Sequence, residues 1–478
     1  MPELKVTGKR PLEGKITISG AKNAVLPQMA ASLLTNEKVT LTNVPDITDV
    51  GDMKRVLEAY GVRVNWNRRK STLELQAENP TQRLPGTNVG KAIRASFLVF
   101  GPLLARNREA NVYRPGGCKI QKGGRKVDFH IEAMADMGAK KIREDSPETE
   151  NGVISMKAVN GLKSKIITFK KSSVGATETV MMAASLVEGK TVIRHAAIEP
   201  EICDLAEMLR NMGAEIEIEE DVKIIEEITQ FGITEEIEKW NVIRVEGQES
   251  LTEVTHKVMP DRIEFGTYAI AAAMNNGKIQ LEVEDDMKES MLKAIRQPLL
   301  DAGVKIDEAN SDIVEVSLKN NVITPVDVQT GPYPAFPTDL LPQWVTFMTQ
   351  AQATDIKAHT IMRDTIFHDR FKFVKGLKEM KAKIDEIKEY QMESNEEIKK
   401  HRIHAGSALS GARVQATDLR GGAALVLAAL VARGSTVVEQ FENVNRGYED
   451  MVGKLNACGA KLEISLPQSR PGHDGGPF

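Results

Sequence analysis

Cysteine is scarce in this chain: Cys118, Cys203 and Cys458 are its only thiols in 478 residues. Three scattered thiols exclude a disulfide framework and a cysteine-based zinc site, so a reduced compartment is expected. Long apolar runs are also missing. None reaches bilayer-spanning length, and the opening "MPELKVTGKRPLEG" has no apolar signal core. The expectation is a soluble, cytoplasmic protein with no membrane partner. Charge of one sign is lacking too, because 63 Lys and Arg stand against 67 Asp and Glu, a net of −4. That excludes a nucleic-acid binder working through bulk charge, and any anion must be held by local clusters. The 41% hydrophobic content is that of an ordinary globular chain, long enough for roughly two to four domains.

What the chain does have is a recurring phrase, a small-residue stop followed by a short strand. It reads "YGVRVNW" at Gly61, "MGAKKI" at Gly138, "MGAEIEI" at Gly213, "AGVKIDE" at Gly303 and "CGAKLEI" at Gly459. The spacing is about 75 to 90 residues with one gap of about twice that, so a sixth copy belongs near residue 381. There "MKAKIDEI" puts Lys381 in the glycine place. Each stop follows an amphipathic run, where a helix C-cap glycine belongs. In step with it runs a second element, a helix apolar on most faces: "KNAVLPQMAASLLT", "IRASFLVFGPLLA", "GATETVMMAASLVEG", "EFGTYAIAAAMNNG", "FPTDLLPQWVTFMTQ" and "LRGGAALVLAALVARG". Such helices must be buried. With alternating strands such as "STLELQA", the unit reads β-α-β-α-β-β six times. The fold class is α/β, with a solenoid as the other architecture.

The buried helices begin with polar groups: Lys22 and Asn23, then Arg94, then Lys171, Ser173 and Gly175, then Asp261 and Glu264, then Asp339, then Asp418 and Arg420. A helix start offers unpaired N–H groups and a positive dipole end, so cations there make an anion site. The plainer reading makes Ser173 and Asp339 N-caps, Lys22 and Arg94 solvated charges, and Asp261 and Glu264 structural braces. Recurrence at equivalent repeat positions favours the functional reading. A further basic stretch, "RPGGCKIQKGGRKVDFH", sets Cys118 among Arg114, Lys119, Lys122, Arg125 and Lys126. Its glycines and charges make it poor core material.

In order, "TISGAKNAVLPQMAASLL", "RPGGC", "SSVGAT", "PDRIEFGT", "FPTD", "ATDLR" and "NRGYED" resemble the UDP-N-acetylglucosamine 1-carboxyvinyltransferase family over about residues 5 to 466. The resemblance implies a two-domain, EPSP synthase-like inside-out α/β barrel of six repeats around buried helices. One domain would span 22–259, and the other 1–21 with 260–466. The implied reaction moves the enolpyruvyl group of phosphoenolpyruvate onto the 3-hydroxyl of UDP-N-acetylglucosamine, the first committed step of peptidoglycan synthesis. It needs no metal and no organic cofactor, and its partners are those two small molecules. By position, Lys22, Arg125, Arg370, Arg420 and Arg446 correspond to the phosphoenolpyruvate site. Asn23, Arg94, Val127, Asp128, Lys171, Ser173, Val174, Gly175, Ile366 and Phe367 correspond to the nucleotide-sugar site. Asp339 matches the carboxylate that takes the 3-hydroxyl proton, and Cys118 the mobile-loop acid that the epoxide fosfomycin alkylates. Lys22 and Arg446 belong to the catalytic set. The five cations around Cys118 would favour its thiolate.

The chain departs from that family pattern in places. The cysteine loop is two residues longer, with Lys126 where a proline is usual, and Gly51 stands where many relatives carry an acid. Residues 219–251 and 376–404 are extended and charged. The second reads as a solvated helix with i,i+4 ion pairs, or else as a docking place for a partner protein. The tail 467–478 is expected to be disordered, and Cys203 and Cys458 to pack as small hydrophobes. Three alternatives stand beside the main reading. The shikimate-pathway enolpyruvyl transferases lack a cysteine loop and open with a Ser-Lys-Ser type sequence. The RNA 3'-phosphate cyclases need a histidine context absent here. A catalytically impaired paralogue would bind the nucleotide sugar and regulate a partner.

Overall fold

The computed structural model describes residues 2–91, 93–115, 127–145, 152–229, 232–310, 312–353, 358–367, 370–391 and 396–465. Cys118, Arg125 and the tail 467–478 lie outside them. The chain divides into two compact units. The Lys22 unit comprises Ser19–Asp261 with Pro332–Pro334, and the Asp339 unit comprises Met1–Ile18, Arg262–Gly331 and Ala335–Phe478.

Six sheets are present among the described residues, three in each unit. Five share one plan: a parallel strand pair, then two antiparallel strands. In the Lys22 unit, Val254–Lys257 runs parallel to Lys38–Thr42, and Ile166–Thr168 to Gly189–Arg194. In the Asp339 unit the parallel pairs are Glu13–Thr17 with Lys278–Glu282, Val328–Gln329 with His359–Arg363, and Arg413–Gln415 with Ser435–Glu439. The sixth sheet, Glu109–Tyr113, Val153–Lys157 and Lys140–Glu144, has three strands. The chain ahead of its helix carries Pro80 and Pro85, which cannot donate to a ladder. An open solenoid is excluded by how the repeats close. Val254–Lys257, last in its unit, completes the first sheet of that unit. Glu3–Thr7, first in the chain, completes the last sheet by pairing with Lys461–Ser465.

The six apolar runs form helices α1 (Lys22–Ala31), α2 (Phe100–Asn107), α3 (Val174–Ala184), α4 (Arg262–Met274), α5 (Leu341–Thr349) and α6 (Leu419–Val431). Turns of 3-10 helix, Arg94–Val99 and Thr338–Leu340, lead into α2 and α5. In the Asp339 unit α4, α5 and α6 pack on one another. In the Lys22 unit α2 packs on α3, and α1 packs on the turn leading into α2. Because these helices are enclosed all round, nearly every position must be apolar, and the few polar ones need partners. Thr267 accordingly donates to the Ile263 carbonyl at 2.7 Å, and Ala197 N–H donates to Thr177 Oγ1 at 3.0 Å.

All six stops adopt the left-handed backbone, with φ of 90° at Gly61, 102° at Gly138, 111° at Gly213, 91° at Gly303, 75° at Lys381 and 91° at Gly459. Lys381 closes its helix as the glycines do, with Ala382 N–H reaching the Leu377 carbonyl at 2.9 Å, a Schellman closure. The sixth copy therefore keeps the geometry without the residue that makes it easy.

The charged extensions are β-hairpins. Residues 376–404 do not form the expected solvated helix: a short helix Val374–Glu379 ends at Lys381, and Ile384–Gln391 pairs antiparallel with Glu396–His404. Ion-pair spacing suggested a helix, but Ile384 faces Ile403 across the strands while Asp385 faces Arg402. That cross-strand matching, with its period of two, decides the outcome. In the other extension, Glu215–Thr229 pairs with Gly232–Gly247. Cys458 is buried as expected, whereas Cys203 is exposed. The thiol of Cys203 shares the outer face of helix Pro200–Asn211 with Glu207 and Arg210, at i, i+4 and i+7. No helix among the described residues is long and apolar enough to cross a membrane.

Candidate functional site

In the Asp339 unit, the starts of α5 and α6 bring three expected residues together. Asp339 is not an N-cap: the capping positions there are Pro337 and Leu340, and neither makes a side-chain cap. Its Oδ1 instead accepts from Arg370 Nη2 at 2.7 Å, and its Oδ2 from Arg420 Nη2 at 3.2 Å and Nε at 3.3 Å. Both arginines are almost fully buried, while the Asp339 side chain keeps 22% exposure. A carboxylate gripped by two desolvated guanidinium groups is held in one orientation with an open edge. Arg370 Nε, also buried, makes no hydrogen bond among the described residues. Arg420 lies over the Tyr448 ring, 5.2 Å from its centroid, and Arg370 lies 5.6 Å from that of Phe367. Asp418, by contrast, is an ordinary cap that accepts from Arg420 N–H and Gly421 N–H.

Behind that trio sits Asp364, fully buried, which the sequence reading passed over. It accepts hydrogen bonds from the Thr330 and Thr338 hydroxyls and from the amides of Ile366 and Phe367. Two of the expected nucleotide-sugar residues are thereby fixed beside the trio, and Ile366 stays 37% exposed. An Asp followed two residues later by an apolar pair is the local sign of such an Asx turn. Arg446 ends the turn Phe441–Arg446, which Asn443 anchors through the Ala416 carbonyl at 2.8 Å.

The Lys22 unit holds the rest. Lys22 opens α1, with its amide 3.4 Å from Asp261 Oδ2 and its ammonium 3.8 Å from Asp49. Asn23 follows, half-buried. Asp204 steadies this corner by accepting from Gln28 Nε2 at 2.6 Å and from Met259 N–H, and by pairing with His256 Nε2 at 2.9 Å. Ser173 caps α3, its Oγ accepting from Ala176 N–H at 3.5 Å, so here the plainer reading holds. Gly175 is a point of close approach: a Cβ there would lie 3.1 Å from His130 Cε1 and 3.4 Å from Arg94 Nη2. Arg94 and the start of α3 are thus in contact, beside Val174, which remains 36% exposed. Val127 is buried and Asp128 exposed where helix Asp128–Asp136 begins, and Lys171 is exposed in the loop before α3.

Two buried groups missed by the sequence reading lie beside Arg94. His130, bonded through Nδ1 to Thr179 Oγ1 at 2.8 Å, is pushed down to about 3 by burial and by the Arg94 charge. Glu178 is pushed up to about 8, chiefly by burial; Arg94 opposes the rise, while Glu201 and Glu199 add to it. For Glu178 the available signal was a titratable residue inside an otherwise apolar helix, whereas the helix of His130 also carries Asp128, Glu132 and Asp136 and gave no such signal. Of the five cations around Cys118, Arg114 is the one among the described residues. Its guanidinium is engaged by the Asp145 carbonyl at 2.8 Å and by Glu144 at 2.9 Å.

The EPSP synthase (3-phosphoshikimate 1-carboxyvinyltransferase) family matches residues 6–455. The chain is 40% identical over 472 residues to the UDP-N-acetylglucosamine 1-carboxyvinyltransferase of Xanthobacter autotrophicus, covering 97% of this chain and 99% of that one. It is 41% identical over 462 residues to the one from Wolbachia pipientis wMel, with 95% and 97% covered. Among solved structures, the enolpyruvyl transferase NikO from Streptomyces tendae superposes with a TM-score of 0.79 at 21% identity, over 98% of this chain and 99% of that one. EPSP synthase from Acinetobacter baumannii gives 0.66 at 16% identity, over 98% and 100%. These two likenesses concern the fold.

Proposed function

The chain belongs to the UDP-N-acetylglucosamine 1-carboxyvinyltransferases of the EPSP synthase family, and from that premise we propose that it transfers the enolpyruvyl group of phosphoenolpyruvate to the 3-hydroxyl of UDP-N-acetylglucosamine and releases phosphate. In the cell this is a cytoplasmic step that commits the sugar nucleotide to peptidoglycan. The observation that carries the reading is the Asp339 carboxylate held between two buried arginines.

Asp339 removes the 3-hydroxyl proton as the sugar oxygen attacks C2 of phosphoenolpyruvate. Cys118 delivers a proton to C3, so the carbon–carbon double bond becomes a tetrahedral centre that still carries phosphate. Loss of a C3 proton and departure of phosphate then restore the double bond in the product. Lys22, Arg125, Arg370, Arg420 and Arg446 balance the phosphate and carboxylate charges, and planar guanidinium groups suit both anions. Support comes from the buried Arg370 Nε, a donor that no described residue occupies. On the sugar-nucleotide side, Asn23, Arg94, Val127, Asp128, Lys171, Ser173, Val174, Gly175, Ile366 and Phe367 form the contact set. Partly exposed Val174 and Ile366 offer it apolar surface.

The test is phosphate release from phosphoenolpyruvate, with and without UDP-N-acetylglucosamine, by wild type and Cys118→Ala. Release that depends on the nucleotide sugar and collapses in the variant is expected. A folded wild type that binds the nucleotide sugar and releases nothing would replace transfer with the regulatory paralogue.

A further inference from the structure

We infer that Asp364 and Thr338 are positioning residues, a directed hydrogen-bond relay that sets the Asp339–Arg370 pair and the Ile366–Phe367 segment relative to one another. The kinetic part of this inference rests on the transfer reading; the structural part does not.

Asp364 is 0% exposed. A carboxylate taken out of water is costly unless its oxygens are occupied. Here the occupation is complete in kind. Oδ1 accepts from Thr330 Oγ1 at 2.8 Å and from the Ile366 and Phe367 amides at 2.9 Å each, and Oδ2 accepts from Thr338 Oγ1 at 2.6 Å. Only a group with several acceptor sites and no donor can receive four donors from three stretches of chain.

The direction of the chain follows from the same inventory. The Thr338 hydroxyl has one proton, and Asp364 receives it. The Thr338 lone pairs are then left to Arg370 Nη1, which donates at 2.7 Å. Arg370 uses Nη2 on Asp339 Oδ1 at 2.7 Å. Asp364 thus holds Thr338, Thr338 holds one edge of the guanidinium, and the other edge holds the carboxylate. Through its amide bonds the same Asp364 holds the segment that ends in Ile366 and Phe367. The two parts of the Asp339 unit that a sugar substrate must meet in fixed relation share one buried anchor. Asp364 and Thr338 thus act on the rotation of Asp339 through Arg370, which grips the carboxylate together with Arg420.

Thr338→Val keeps the side-chain shape and deletes the hydroxyl, whereas Thr338→Ser keeps the hydroxyl. The kcat of Thr338→Val is expected to fall about 30-fold, with KM for UDP-N-acetylglucosamine within about threefold, because a base displaced by a fraction of an ångström is slow without losing its substrate. Thr338→Ser should return kcat to within about threefold of wild type. Asp364→Asn exchanges an acceptor for a donor, and should lower kcat and raise KM together. It should also speed amide hydrogen exchange at 366–367 about tenfold or more. If Asp364→Asn does not fold, the Thr338 pair carries the test. Wild-type kcat in Thr338→Val, no recovery in Thr338→Ser, or unchanged exchange at 366–367 in folded Asp364→Asn would overturn the relay. Should wild type release no phosphate at all, the transfer reading falls, and the exchange experiment still decides whether Asp364 holds the segment.

Discussion

The Asp339 unit and the Lys22 unit repeat one architecture and solve the same electrostatic problem differently. Both bury titratable groups near the starts of their central helices. In the Asp339 unit the groups remain paired ions: Arg370 and Arg420 on Asp339, and Lys454 on Glu264 at 2.7 Å. The Lys22 unit has such a pair too, Lys22 with Asp49 at 3.8 Å, but its His130 and Glu178 lie near neutral pH in their uncharged forms, one pushed down to about 3 and the other up to about 8. Burial penalises charge everywhere, so a group keeps its charge only where an opposite charge with good geometry offsets that cost. The repeat supplies the positions, and the available partner decides the protonation state.

The sharpest test of this contrast removes the ion that holds the Asp339 unit's pair. Asp339→Asn should reduce turnover by about 10²- to 10⁴-fold, the usual loss for a general base. Asp339→Ala should also cost about 3 kcal/mol of stability by leaving two arginines without their carboxylate. Turnover within tenfold of wild type would take Asp339 out of the chemistry.

Next in size is the pH dependence of stability, which should belong to the Lys22 unit. The ordinary value for Glu178 is 4.5 and its folded value about 8. Between those, the unfolded chain ionises first, so this stabilisation, present below about 4.5, is lost as pH rises through 8. It amounts to a few kcal/mol on the order of the shift. His130 works in the opposite sense. Its ordinary value is 6.5 and its folded value about 3, so its contribution disappears as pH falls from 6.5 towards 3. Melting temperatures from pH 5 to 8.5 should therefore decline less towards alkali in Glu178→Gln than in wild type. Parallel curves would show that Glu178 is not buried as a neutral acid.

A smaller effect distinguishes substrate from stability. In Gly175→Ala the new methyl group presses on His130 and Arg94, and KM for UDP-N-acetylglucosamine should rise about tenfold, or about 1.4 kcal/mol. KM for phosphoenolpyruvate should hold. If both constants move equally, the Arg94 corner does not discriminate between the substrates. The smallest change concerns the helix stops. Lys381→Gly should stabilise the Asp339 unit by about 1 kcal/mol, whereas Gly213→Ala should destabilise the Lys22 unit by about as much, since left-handed backbone is costly for any residue with a Cβ. Chemical denaturation of the two variants, showing opposite signs, checks this.

Local rules made much of this molecule legible in advance. The helix stop at Lys381 could be placed from the spacing of five glycines because a Schellman closure is built from residues adjacent in sequence. Enclosed helices were readable because an all-apolar run has nowhere else to go. The hairpin at 384–404 was not readable. Alternating Lys and Glu satisfies a helical ion-pair pattern and a cross-strand pattern alike, and pairing of Ile384 with Ile403 decides between them. The exposed thiol of Cys203 depended on which face of its helix meets the core.

Sequence by itself determined the sixfold α/β repeat, the near-neutral charge that forces anions onto local clusters, and the polar residues that begin each buried helix. Only the tertiary structure decided which of those residues are caps and which are ions. Ser173 and Asp339 are interchangeable by local rules, since both are short acceptors at a helix start. Ser173 caps an amide three residues away, while Asp339 is claimed by arginines 31 and 81 residues distant. The hold of Asp364 on Thr330 and Thr338 was invisible for the same reason, because those hydroxyl donors lie 34 and 26 residues away. A side chain's role is set by the groups that reach it, and those meet only when the chain folds.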